Sequence, residues 1–313
     1  MNSLAMRALE RDLVGGAMIL LDGATGTEIE RRGAAMHDDA WCAMATLTHP
    51  EILRAVHEDY IRAGARIITA NTFSCNRNML EPAGLGHQFE VLNRRAVEIA
   101  LEARDRAAVS GVVVAGSMSH QVPMLHDSDQ RDADSLPSAL RAERNFNDMA
   151  SVLATSGVDL ILLEMMSDPD LMAPAIAAAK GTGLPVWIGF SVVDDGNAGV
   201  RSYSRADLSA AEVFAAVDFD GIGAAGVMHS NAQITGPALA LLREVFNGPL
   251  MAYPDSGYFA MPHWHFVDIM PPAELVAFSR GWEPLGVQIL GGCCGLGIDH
   301  IHALSGSQAL SAA

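Results

Sequence analysis

Short continuous apolar runs recur along the chain at Met18–Leu21, Arg66–Thr72, Val112–Gly116, Asp159–Leu163, Val186–Phe190, Gly221–Ala225, Pro249–Tyr253 and Val287–Leu290. Runs that stay apolar without alternating fit parallel strands covered on both faces. Between them the spacing turns helical. From Pro50 to Tyr60, Ile52, Leu53, Val56 and Tyr60 share one face, and from Phe89 to Ala107, Leu92, Ala96, Ile99 and Ala100 do the same. Ser209-Ala210-Ala211-Glu212 has capping-box spacing ahead of Val213 and Phe214. Eight strand–helix units in 313 residues predict an α/β fold, a TIM (β/α)8 barrel in one domain spanning 1–313. A doubly wound open sheet is the other architecture such alternation allows, but no Gly-x-Gly-x-x-Gly turn follows the first run.

A barrel places its chemistry where the strands end. Those ends carry Asp22, Asn71, Thr72, Ser117, Glu164, Ser191, His229, Tyr253, Cys293 and Cys294. Each has a bland reading alone: Asp22 opening a turn, Glu164 pairing with an arginine, His229 capping a helix. Acids, a histidine and two thiols at one rim exceed what a purely structural barrel needs.

Composition narrows the partners. The formal net charge of −17 argues against nucleic acid and against an anionic membrane surface, and is compatible with a cationic small-molecule partner. Four cysteines in a chain this long do not form a secreted disulfide framework, so a cytoplasmic location is expected. The apolar stretch from Leu13 to Leu21 is too short to span a bilayer and lacks the layout of a signal peptide. Apolar loops make a homo-oligomer compatible with the sequence without locating an interface.

The densest signal is Gly291-Gly292-Cys293-Cys294-Gly295, after the last apolar run. Adjacent cysteines rarely bond to each other. Two thiolates offered from a glycine-flexible turn suit a soft divalent metal, zinc above all. The other reading is a pair of small apolar residues closing a strand.

Several motifs together resemble the homocysteine S-methyltransferase family, over Leu21 to about Leu304. They are Asp22-Gly23-Ala24-Thr25-Gly26-Thr27-Glu28, Trp41, Ala63-Gly64-Ala65 leading to Asn71-Thr72-Phe73, Ala115-Gly116-Ser117, Gly157-Val158-Asp159-Leu160 ending at Glu164, Tyr253-Pro254-Asp255-Ser256-Gly257, and the cysteine motif. The resemblance implies zinc-dependent transfer of a methyl group to the thiol of homocysteine, giving methionine, in a TIM barrel. The expected partners are a small-molecule thiol and a methyl donor. It implies that Cys293 and Cys294 are two of three cysteine ligands, and that Asp22 and Glu164 hold the amino acid's ammonium group. Trp41, Thr72, Tyr253 and Ser256 are the remaining substrate-binding candidates.

The chain departs from the family at the sixth strand. The family usually reads Gly-x-Asn-Cys there; this chain reads Gly226-Val227-Met228-His229. Histidine also binds zinc, so His229, Cys293 and Cys294 form the expected metal set, with a fourth position for the substrate thiolate. Imidazole for thiolate removes one negative charge, which predicts a less nucleophilic centre and a sulfonium donor in preference to a quaternary ammonium. Tyr258 to Phe266 gathers aromatic side chains that, with Trp41, form an onium cage or lid, or else a hydrophobic plug or subunit contact. Two other readings stay open: a methyltransferase for another thiol acceptor, and a non-catalytic ligand-binding or redox-sensing barrel.

Overall fold

The structure, a computed structural model, describes residues 3–197 and 199–311. Its barrel strands are β1 (Ile19–Leu20), β2 (Ile67–Ala70), β3 (Val113–Ser119), β4 (Leu160–Met166), β5 (Val186–Phe190), β6 (Ile222–Asn231), β7 (Leu250–Asp255) and β8 (Val287–Leu290). They form one parallel sheet in the order β1-β8-β7-β6-β5-β4-β3-β2. A parallel bridge between Leu21 and Ile67 joins the two ends and closes the ring. Each apolar run of the sequence becomes a strand, and β3, β4, β6 and β7 run further toward the mouth than the apolar pattern does. Among the extra residues, Ser117, Glu164, Met165 and His229 line the mouth.

The helices bury the predicted faces. Pro50–Ala63 turns Leu53, Val56 and Tyr60 inward, and Phe89–Ala107 turns in Leu92, Ala96, Ile99 and Ala100. Ser209 and Glu212 close the reciprocal capping box at Ala210–Ala215. Two apolar zones result. One lies between strands and helices; the other fills the lumen with Ile19, Leu21, Ile67, Val113, Leu160, Leu162, Trp187, Met251 and Ile289. The helix Leu4–Val14 plugs the lower end of that lumen with Met6, Leu9 and Leu13, and Gln288 Nε2 donates to the Leu13 carbonyl at 2.7 Å. No helix among the described residues is long and apolar enough to cross a membrane. With the floor sealed, the open end of the lumen is the C-terminal mouth.

Candidate active site

Two bulges aim side chains into the mouth. Leu163 and Met166 of β4 face Ile188 and Phe190 of β5, so β4 carries one residue more than its partner across that step. The slack falls at Glu164–Met165, and Met165 takes φ 54°. The same happens where Met228 and Asn231 of β6 face Tyr253 and Asp255 of β7. There His229 takes φ 41°. A non-glycine residue at positive φ is costly and persists only when its surroundings hold it. Bulges re-aim side chains, and here they turn Glu164 and His229 toward the cleft.

The cysteine loop is laced between neighbouring strand ends. Gly292 N–H donates to the Asp22 carbonyl at 3.2 Å, Cys293 N–H to Pro254 at 2.7 Å, and Ser256 N–H to Cys294 at 2.9 Å. Gly295 sits at φ 81°, and a Cβ there would lie 1.9 Å from the Ser256 carbonyl oxygen, so only glycine fits. This path brings Cys293 Sγ to 3.9 Å from Cys294 Sγ and 3.5 Å from His229 Nδ1. The three ligand atoms lie within 4.8 Å of one another. Two sulfurs and one imidazole nitrogen make a soft donor set that fits zinc. Asp255 Oδ2 stands 3.5 Å from the same His229 nitrogen. Burial works against a charged His229 ring, but the Asp255 carboxylate and Cys293 outweigh it and raise its pKa to about 9. A metal bound at that nitrogen must displace its proton. The hydrogen bond from the Cys294 thiol and the nearby His229 hold Cys293 well below the ordinary thiol range.

The two carboxylates lie deeper. Asp22 accepts from Thr69 N–H at 2.6 Å and Thr69 Oγ1 at 3.0 Å. Burial raises its pKa to about 7 against the pull of those bonds. Glu164 accepts from the Ser117 hydroxyl. Burial also dominates there, with Cys293 and Asp22 adding repulsion, and lifts it to about 8. Two buried carboxylates with few donors are poised for a cation that supplies the missing charge.

Trp41 and Tyr253 also line the cleft. Trp41 adopts φ 47°, and its ring lies where a side chain on Gly26 would be: a Cβ there would come within 2.5 Å of it. Aromatic contacts continue from Trp41 to Phe73 (6.4 Å between centroids) and Phe259 (5.9 Å), and from Phe259 to Trp264 (6.3 Å). Trp264 and Tyr203 then flank His229, each at 5.8 Å. The aromatic loop after β7 therefore overhangs the metal set.

Thr72 and Ser256 do not line this cleft. Thr72 Oγ1 donates to the Ser117 carbonyl at 2.8 Å, and Ser256 Oγ accepts from Met270 N–H at 2.8 Å, so both brace the wall from behind. Of the isolated cysteines, Cys75 is buried with its thiol on the Asn71 carbonyl, whereas Cys42 reaches the cleft wall. His263 bonds Glu30 at 2.7 Å and His265 stacks on Tyr258. Thr69, Gln121 and Tyr203 line the cleft without having been singled out in the sequence. Thr69 is one more β-branched residue in a strand run, and the other two lie on loops whose path the sequence does not reveal.

The sequence model of the homocysteine S-methyltransferase family matches residues 19–307. Homocysteine S-methyltransferase 2 of Arabidopsis thaliana is 28% identical over 305 residues, covering 89% of each chain. A selenocysteine methyltransferase of Astragalus bisulcatus is 29% identical over 307 residues, again covering 89% of each. Among solved structures, the metallated homocysteine methyltransferase MmuM of Escherichia coli superposes with a TM-score of 0.74 at 24% identity, covering 97% of this chain and 99% of its own. The superposition supports the barrel, and a family match across nearly the whole barrel goes further: the chain belongs to the homocysteine S-methyltransferase family and is an S-methyltransferase.

Proposed function

We propose that this enzyme transfers a methyl group from a small sulfonium to the thiol of homocysteine, giving methionine, with zinc held by His229, Cys293 and Cys294. One observation carries the reading: the histidine and the cysteine pair, 64 residues apart in sequence, converge within 4.8 Å beside two buried carboxylates. An alkyl thiol has a pKa near 8.5, so little thiolate exists at neutral pH. Zinc, when bound, holds such a thiol deprotonated.

The remaining roles fall to the chain's own groups. Asp22 and Glu164 accept the ammonium of the amino acid, and its positive charge keeps both ionised. That anchors one end of the acceptor and leaves its sulfur at the metal set. The acceptor sulfur then bonds to the methyl carbon as the donor's carbon–sulfur bond breaks, and the electron pair stays on the departing sulfide. Positioning supplies much of the rate of such a displacement. Aromatic faces at Trp41, Phe259 and Trp264 attract an onium cation. The sulfonium preference rests on the charge count: an imidazole ligand leaves the thiolate less electron-rich, so a better leaving group is favoured. Selenol amino acids are a second acceptor class, supported by the similarity to the selenocysteine methyltransferase.

The test is metal analysis under reducing conditions, followed by methyl transfer to homocysteine from S-methylmethionine and from glycine betaine. About one zinc per chain and faster transfer from the sulfonium are expected. Failure to retain or take up zinc would remove the metal reading. Glycine betaine as the better donor would remove the donor preference.

A further inference from the structure

The ring of strands fixes directions across the cleft. In a closed barrel of eight, β3 stands opposite β7. The metal set comes from β6 and from the loop after β8, the two strands on either side of β7. An acceptor sulfur held at that set attacks the methyl carbon from the side opposite the departing sulfide. In an in-line displacement, attacking atom, carbon and leaving atom are collinear. The departing part of the donor therefore points away from the metal set, and the β2–β3 side is the wall that faces that set across the cleft.

That side is not uniformly apolar. Phe73, Met79 and Met124 line it, and among them is Gln121, two residues beyond the end of β3. Gln121 is only 5% exposed, and its carboxamide oxygen is buried with no hydrogen-bond partner. Its backbone is fixed: Gln121 N–H donates to Ser119 Oγ at 3.3 Å, and Ser119 Oγ donates to the Phe73 carbonyl at 2.8 Å. A buried acceptor without a partner is disfavoured unless a ligand supplies the donor. The Asp22 and Glu164 carboxylates that serve the acceptor's ammonium are bonded to Thr69 of β2 and Ser117 of β3, whereas the Gln121 carboxamide oxygen, on the loop after β3, has no such partner.

We propose that Gln121 is the polar anchor for the methyl donor's arm, and that the donor is an onium whose arm carries an N–H or O–H group. This deepens the reading of the site as a methyl-transfer centre and rests on it for the direction of attack. A hydrogen-bonding amide with apolar neighbours selects by the presence of a donor group, because a ligand lacking one leaves the oxygen unpaired.

The experiment compares two probes, S-methylmethionine, whose arm ends in an ammonium and a carboxylate, and trimethylsulfonium, which has no arm. Calorimetric binding to wild type, Gln121→Leu and Gln121→Glu is paired with steady-state kinetics and zinc content. The expected result is a loss of about tenfold in affinity and a matching rise in KM for S-methylmethionine in Gln121→Leu, from one lost hydrogen bond. Gln121→Glu should retain S-methylmethionine at least as well as Gln121→Leu. Affinity for trimethylsulfonium, KM for the thiol acceptor and zinc content should stay within about twofold. Equal losses for both probes, unchanged S-methylmethionine binding, a rise confined to the acceptor's KM, or no binding of either probe to wild type would overturn the assignment. If Gln121-dependent binding is found and no thiol is methylated, the methyl-transfer reading fails while the anchor stands.

Discussion

The two ends of the barrel lumen are built from the same eight strands and behave as opposites. At the floor, Met6, Leu9 and Leu13 of the plug helix meet Trp187, Val113 and Ile289, and all are buried apolar side chains. At the mouth, within one lining, stand two carboxylates with raised pKa values and a carboxamide oxygen without a partner. Three residues at positive φ, Trp41, Met165 and His229, line it too. The floor contributes stability by burying apolar area. The mouth keeps buried acids and positive-φ backbone that the floor lacks. The difference separates what holds this protein together from what it does.

That separation can be broken from either end. Cys293→Ser should have the largest effect. It removes a proposed zinc ligand, so zinc content should fall from about one per chain toward zero and transferase activity should fall by about three orders of magnitude or more. Circular dichroism should show the barrel intact. Loss of the fold would instead make the mouth structural. Leu9→Ala tests the floor. A leucine in a fully buried plug should cost roughly 2–5 kcal/mol in denaturant unfolding, while kcat/KM of the folded enzyme stays unchanged. A large fall in kcat/KM would tie the plug to the site.

Smaller effects sharpen the contrast. Glu164→Gln keeps the hydrogen bond to Ser117 and deletes the charge, so the acceptor's KM should rise by about 10–100-fold with kcat changed less. An acceptor lacking the amino group should not respond to the substitution. The last effect concerns stability. Asp22 and Glu164 have folded pKa values of about 7 and about 8, above those of unfolded carboxylates. The unfolded chain therefore releases its protons first. The contribution of each group to stability is full in acid and is lost as pH rises through its folded value. Asp22→Asn should accordingly stabilise the protein at pH 8 by on the order of 1 kcal/mol and make less difference at pH 5. Unfolding by urea at the two pH values checks it, and equal gains at both would mean that the charge is not the cause.

How much of this could be read in the sequence differs between the two regions. Parallel strands covered on both faces must be apolar throughout, so each run announced a strand, and eight of them with helices between left few architectures. The cysteine pair was legible for a local reason: Gly-Gly-Cys-Cys-Gly is a backbone device that few structures need. Thr72 and Ser256 belonged to matching motifs, yet their hydroxyls bond to backbone behind the cleft. A motif marks a segment, not the direction in which each of its side chains points.

The bulges at Glu164–Met165 and at His229 left no trace in the apolar pattern, because one extra residue between two strands exists only relative to the partner strand. The same holds for Thr69 beneath Asp22, for the aromatic contacts that place Trp264 and Tyr203 against His229, and for Gln121 opposite the metal set. By itself the sequence determined the barrel, the family and the types of group at the rim, since these follow from local periodicity and short motifs. Closing the ring decided which of those groups face one another. Such contacts join residues far apart in the chain, and their distances are set by strand register and loop packing.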